Sequence, residues 1–387
     1  MTKSVCVVVN SRANYGRIKT FMKAVANHEE LELQLIVGAS ALLYRYGSAV
    51  DVMREDGFEP ISVVHSIVEG ETPTTMAKST GLGIIELATH FENLKPDIVL
   101  TVADRFETLA TAVASSYMNI PLAHTQGGEV TGSIDESVRH AITKLAHIHF
   151  PATDKAKQNI LRMGEDPNYV FCTGCPAMDL LVDTDLSLKP GIFKSYKGVG
   201  ENISDSDPYV IVLQHPVTTE YGNGRKQIIE TLRAVHEFTS NTGTKGVWLW
   251  PNVDAGSDDI SKAIREYRET TLSSNIHFFK NFSPEDYAAI LNNAKMIIGN
   301  SSSGIREGSF LGVPCVNIGN RQSNREHADN VMNAAYDKEN ILSCIYKQYK
   351  QRRYKSSKLF GNGEAGKQMA SILAKITPNI IKTLHYS

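Results

Sequence analysis

The feature that most limits what this chain can fold into is an alternation of short apolar, β-branched runs with longer amphipathic segments, played through twice. In the first half the runs are Val5–Val9, Leu33–Val37, Ile98–Val102 and Ile120–Ala123, with further strands expected near His149 and Val170. Between them, Arg17–Val25, Thr74–Leu94, Phe106–Met118 and Ser137–Leu145 repeat apolar residues at the helical spacing of three and four. Strands alternating with helices build a parallel sheet through crossover connections. A polar, irregular stretch from Asp183 to Asp207 reads as a linker. The alternation then resumes at Tyr209–Leu213, Gly246–Trp250, Ile276–Phe279, Met296–Ile298 and Cys315–Ile318, with helices such as Gln227–Ser240 and Pro284–Asn293 between. A chain of 387 residues is too long for one ordinary core. The expectation is α/β: two Rossmann-like, doubly wound domains, residues 1–185 and 186–365, facing each other across a cleft.

Charge narrows the partner. Forty basic residues against forty-two acidic ones leave a formal charge of -2, so no overall field recruits nucleic acid or an anionic membrane. No segment has the length and apolarity of a membrane span, and the start of the chain lacks a cleavable signal pattern, so a cytoplasmic location is expected. The five cysteines are odd in number and scattered, which favours reduced thiols. Cys172 and Cys175 have a C-x-x-C spacing but lack a second Cys/His pair, so neither a metal nor a redox cofactor is expected.

The chemistry-bearing residues gather where strands end. No G-x-G-x-x-G follows the first strand and no P-loop occurs. A phosphate has another candidate cradle, Gly299-Asn300-Ser301-Ser302-Ser303-Gly304, which follows an apolar run and opens a helical segment. There Ser301, Ser302 and backbone N–H groups can donate to oxygen. Glu307, one turn on, can accept ribose hydroxyls. Arg12, just after the first strand, can pair with phosphate from the opposite wall. Asp104, Arg105, His124, Glu129, Asp135, Glu136, Arg139, His140 and Lys144 crowd the middle of the first domain, and His215 follows the first strand of the second.

These residues resemble one family, the hydrolysing UDP-N-acetylglucosamine 2-epimerases. The resemblance is carried by Arg12-Ala13-Asn14-Tyr15, Asp104-Arg105-Phe106, GGEVTGSIDESVRHAITKLAH from Gly127, LQHPVTT from Leu213, PNVDAGS from Pro251, GNSSSGIRE from Gly299 and GNRQSNRE from Gly319. It implies a GT-B-like fold whose final segment, residues 366–387 with a helix near Glu364–Thr377, returns to the first domain. It also implies a UDP-sugar substrate, no cofactor, and a homodimer or homotetramer. On these motifs Arg12, Asn14, His215, Asn252, Asp254, Ser301, Ser302, Glu307 and Arg321 would bind UDP and substrate. Asp104, Glu129, Asp135, His215 and Gln126 would serve the chemistry.

Two positions depart from the family's pattern: Gln126 stands where it usually has an acid, and Asn14 where it usually has Asp. Glutamine cannot exchange a proton, so Gln126 can only orient substrate or water. The proton work then falls to Asp104, Glu129 and Asp135, or the sugar is a different one such as UDP-N,N'-diacetylbacillosamine. A non-hydrolysing 2-epimerase, a GT-B glycosyltransferase and a catalytically silent UDP-sugar sensor remain as competing readings.

Overall fold

The structure is a computed structural model in which residues 2–251, 254–270 and 275–385 are described. The first sheet comprises β1 (Lys3–Val9), β2 (Leu31–Gly38), β3 (Ser62–Val64), β4 (Ile98–Val102), β5 (Leu122–Thr125) and β6 (Ile148–Phe150), all parallel in the order β3-β2-β1-β4-β5-β6. The second comprises β7 (Gly198–Gly200), β8 (Tyr209–Leu213), β9 (Lys245–Leu249), β10 (Ile276–Phe279), β11 (Ile297–Gly299), β12 (Cys315–Ile318) and β13 (Val331–Ala334), in the order β13-β12-β11-β8-β9-β10-β7. Apart from antiparallel β7, this sheet has the same winding as the first. The fold is two Rossmann-like domains in a GT-B-like arrangement.

The strands read as continuous apolar runs because both faces of each sheet are covered. Along β1, Val5, Val7 and Val9 enter a core shared with the helices Arg12–Ala26 and Ala365–Lys375, while Cys6 and Val8 enter the core beneath the helices Pro73–Leu94 and Phe106–Tyr117. Each fully buried side chain of this kind contributes about 1.5–3 kcal/mol. Local signals set the helix starts. Ser11 caps Arg12–Ala26 by accepting from Asn14 N–H, and Thr72 and Thr75 form a reciprocal capping box ahead of Pro73.

Several expected boundaries shift. The stretch 183–207 is more than a linker, since Gly198–Gly200 pairs antiparallel with Ile276–Phe279 as an edge strand. Val170 makes only an isolated bridge to His149 rather than a strand. β3 and β13 escaped detection because Ser62–Val64 and Val331–Ala334 are short, partly polar edge strands with one face open to solvent. The last helix, Ala365–Lys375, buries Met369, Ala370 and Leu373 in the core of the first sheet.

In each domain the strand order reverses beside its first strand, between β1 and β4 and between β8 and β11. A parallel sheet binds ligands beyond the carboxyl ends of its strands at such a point. The segments leaving these four strands carry Arg12, Asp104, His215 and Ser301. The domains meet there so closely that a Cβ on Gly132 would lie 1.9 Å from Asn320 O.

Candidate active site between the domains

The backbone is shaped for the site before any side chain is considered. Ala103 and Gln126, immediately after β4 and β5, both lie in the left-handed region with φ of 63° and 64°. A non-glycine residue there costs about 1–3 kcal/mol, a cost met by the surrounding ladder. Ala103 N–H donates to Thr125 O at 3.0 Å and Gln126 N–H to Phe150 O at 2.9 Å. At the facing switch point Gly299, φ 132°, brings the serine loop against β8, where a Cβ would lie 2.1 Å from Leu213 O. Asn300 then locks the two loops: His215 N–H donates to its Oδ1 at 2.7 Å and its Nδ2 donates to His215 O at 2.8 Å.

A cavity of about 150 Å³ lies between the domains. Part of its lining is apolar, from Leu180 and Leu181 of the helix Pro176–Asp183 together with Leu213, Leu249, Phe282 and Leu291. The polar part of the lining comprises Arg12, Arg17, His215, Ser301, Ser302, Glu307 and Arg321. Arg17, Ser302 and Arg321 also line a smaller, adjoining polar pocket that contains Asp104, Thr131 and Asp135. Arg17, Ser302 and Arg321 thus belong to both the larger cavity and the carboxylate pocket.

Among the described residues Arg12 and Arg17 form no ion pair with a carboxylate, and Arg321 forms only a long one. Arg12 donates to Lys280 O at 3.0 Å, and burial lowers its guanidinium to about 10. Arg17 donates to Ser302 Oγ at 2.6 Å, and burial with neighbouring Arg306 pushes it down too. Arg321 donates to Asn300 O at 3.2 Å and stands 3.9 Å from Asp135. Burial, then Arg321, Arg12, Arg105 and Arg17, hold His215 well below its ordinary value, so its imidazole is neutral. Half-buried guanidiniums with little carboxylate beside them favour an anion.

The carboxylates divide sharply. Asp104 accepts from Arg139 Nε at 3.1 Å and from Arg139 Nη2, both on Oδ2. Burial opposes its ionisation, but Arg139, Arg17 and Arg325 outweigh burial and keep it well below the usual carboxylate range. Asp135, first residue of the helix Asp135–Leu145, accepts among the described residues from Ser133 Oγ at 2.9 Å, with Arg321 more distant. Burial and then the charge of Asp104 raise it to about 6. Two neighbouring carboxyls with separated affinities suit a proton acceptor paired with a proton donor. Replacing Asp104 by Asn should therefore lower the Asp135 titration, followed by carboxyl carbon NMR shifts. An unmoved midpoint would mean that the two groups do not sense each other.

Glu129 is placed differently. Its oxygens accept from Arg306 Nη2 at 2.6 Å and from Arg325 Nε at 2.9 Å, and these pairs bring it down to about 2 despite burial. It lines neither of the two adjoining cavities. Gln126 is fully buried beside it, accepting from Arg306 Nη1 at 2.6 Å and donating to Cys175 Sγ at 3.3 Å. Asp254 sits 2.8 Å from Arg105, bridging the domains, so Arg105 serves Asp254 and Glu107 rather than keeping Asp104 ionised. Asn14 is buried beneath the first loop, its Oδ1 accepting from Asn10 N–H at 3.3 Å, and it does not line the cavity. Asn252 lies outside the described residues.

The serine loop also differs from a simple helix start. Ser301 caps only the short helix Ser302–Ile305, which breaks at Arg306 before Glu307–Leu311 begins. Arg306 points its guanidinium across the interface to Gln126 and Glu129. Glu307 reaches the cavity from the second piece, with Oε2 buried and lacking a protein hydrogen bond. Cys172 and Cys175 are unpaired thiols, the first exposed and the second buried, and burial raises Cys175 to about 11.

Three site arginines, Arg17, Arg306 and Arg325, carry no assignment from sequence. Arg17 has a legible signal: it lies in the second turn of the helix after β1 with no acid three or four residues away to pair with it. Arg325 lies within the GNRQSNRE run, but only the fold shows that it reaches Glu129.

Known proteins resemble this chain in sequence and in fold. The chain is 30% identical over 377 residues to a UDP-N,N'-diacetylbacillosamine 2-epimerase (hydrolyzing) of Legionella pneumophila, covering 97% of both chains. It is 28% identical over 362 residues to a UDP-N-acetylglucosamine 2-epimerase of Neisseria meningitidis, covering 94% of this chain and 92% of that one. Its fold superposes with a TM-score of 0.80 on the Methanocaldococcus jannaschii UDP-GlcNAc 2-epimerase crystallised with UDP-GlcNAc and UDP, at 18% identity, covering 96% of this chain and 99% of that one. The sequence model of the family described as UDP-N-acetylglucosamine 2-epimerase matches residues 23–374, and the chain belongs to that enzyme family.

Proposed function

We propose that this chain is a hydrolysing 2-epimerase that converts UDP-N-acetylglucosamine and water into UDP and N-acetylmannosamine. The observation that carries the reading is the shared wall of Arg17, Ser302 and Arg321 between a partly apolar cavity and a carboxylate pocket. A nucleotide base fits the apolar part of the lining, a diphosphate fits the cations, and the sugar then meets Asp104 and Asp135. Glu307, with its unpartnered buried oxygen, takes the ribose hydroxyls.

In the first step ionised Asp104 accepts the proton from C2. The C–H electron pair forms the C1–C2 double bond, the C1–O bond breaks, and its electrons leave on UDP. Arg12, Arg17, Arg321 and the neutral His215 surround the oxygens where that charge grows, a preorganised stabilisation that gains strength out of water. Water then adds to C1 of the 2-acetamidoglucal as hydroxide, its other proton passing to solvent, while Asp135, whose raised affinity lets it hold a proton, protonates C2 on the opposite face. Asp104 then gives the proton it took to solvent, and Asp135 regains one from solvent. Gln126 holds Arg306, which in turn binds Glu129, without exchanging a proton.

The Legionella relative favours a second sugar, UDP-N,N'-diacetylbacillosamine, at the same site. Proton NMR of the enzyme with each UDP-sugar in heavy water tests both. Release of UDP with an equal amount of free 2-epimeric sugar, deuterated at C2, is the expected result, and the faster substrate identifies the sugar. Formation of a UDP-linked epimer, or no reaction with either sugar until an acceptor is added, would overturn the hydrolytic reading.

A further inference from the structure

The helix Asp135–Leu145 carries both Asp135 and Arg139, the guanidinium that holds Asp104. Its amino-terminal end is fixed from within the site, since Arg139 also donates to Glu129 O at 2.8 Å and to Glu136 at 3.0 Å. The other end is fixed by a residue distant in sequence. The last carbonyls of a helix have no partners within it. Here Lys382 Nζ donates to Lys144 O at 2.8 Å, to Thr143 O at 3.4 Å and to Ala146 O. The same ammonium lies 2.7 Å from Oε2 of Glu165, a buried carboxylate that also accepts from His149 and Lys144. The segment bearing Lys382 lies along this end of the helix, with Ile380 O accepting from His147 Nε2 at 3.1 Å and His385 N–H donating to Gly164 O at 3.0 Å.

We infer that Lys382 is a positioning residue for the reaction: it clamps the carboxyl end of the helix Asp135–Leu145 and so sets where Asp135 and Arg139 stand in the site. A helix transmits an axial or rotational shift along its length, because each turn is bonded to the next. A cation is the side chain best suited to this end, where unpaired carbonyls and the helix dipole are both negative. Among the described residues Lys382 contacts no residue lining the cavities, so its effect on turnover passes through the helix end and Glu165. The inference rests on the assignment of Asp104 and Asp135 to proton transfer.

Lys382→Met retains the apolar stem and removes the donors, and Glu165 keeps His149 and Lys144, so the variant should fold. With UDP-GlcNAc and the full chain, kcat should fall roughly tenfold, since small misplacements of catalytic groups are costly. KM and the Kd for UDP should stay unchanged, because the nucleotide contacts are elsewhere. Amide exchange at the carboxyl end of the helix should accelerate, and Lys382→Arg should restore both kcat and protection. Unchanged kcat per folded molecule in the Met variant, or no rescue by Arg, would overturn the inference. Asp135→Asn run alongside separates the two levels. An inactive Asp135→Asn beside a fully active Lys382→Met rejects the clamp alone, whereas an active Asp135→Asn rejects the site assignment and the clamp with it.

Discussion

Asp104→Asn should lower turnover per folded molecule by about 10²–10⁴-fold, the range attached to a lost proton-transfer group, while UDP binds as before. The side chain occupies the carboxyl end of β4, next to a parallel strand on either side, where placement is rigid. Both Arg139 contacts fall on Oδ2, so the guanidinium leaves Oδ1 unused. Asparagine keeps the shape and one acceptor but cannot take a proton. The competing view makes Asp104 a structural partner of a fully buried arginine. Such a pair, once broken, costs about 3–5 kcal/mol. Melting temperature, UDP affinity and turnover on one preparation separate the views, and a destabilised variant with full activity per folded molecule would end the catalytic assignment.

Glu129→Ala should produce the largest loss of stability of any substitution in the site, about 3–5 kcal/mol, because it leaves two guanidiniums buried without their carboxylate. The side chains of Arg306 and Arg325 are 1% and 5% exposed. Each keeps one neutral partner, Gln126 for Arg306 and Gln322 for Arg325, and neither partner offsets a charge. Glu129 comes from the first domain and both arginines from the second, so the triad joins the two. Denaturant unfolding measures the effect. A Glu129→Ala enzyme as stable as the parent but inactive would return Glu129 to the group of proton carriers considered from sequence.

Much of the framework was legible because it is written in local periodicity. The apolar runs at Val5–Val9, Ile98–Val102 and Tyr209–Leu213 became central strands, since a strand buried on both faces admits few polar residues. Short edge strands failed that test. Ser62–Val64 and Val331–Ala334 need apolar residues on one face only, and over so few positions a one-sided pattern is indistinguishable from a loop. The region Asp183–Asp207 read as linker because glycine and proline punctuate it, yet Gly198–Gly200 completes the sheet edge through backbone bonds that ask little of side chains.

The sequence by itself determined that the carboxyl ends of the central strands carry polar and charged residues to the cleft. Arg12, Asp104, His215 and Ser301 each follow a recognisable strand, and in a doubly wound sheet the carboxyl ends of strands meet the ligand. It did not determine what those residues do to one another. Glu129, Asp135 and Asp104 are three acids of similar intrinsic strength, and only tertiary placement separates them. Two guanidiniums from the other domain bring Glu129 down to about 2, and burial beside the charge of Asp104 lifts Asp135 to about 6. Arg105 adjoins Asp104 in sequence, but it turns to Asp254 while Arg139, thirty-five residues away, takes its place. Periodicity is a local property of the chain, readable residue by residue. The energy of a charge in a low-dielectric cleft depends on which other charges the fold brings within a few ångströms, and no local pattern encodes that.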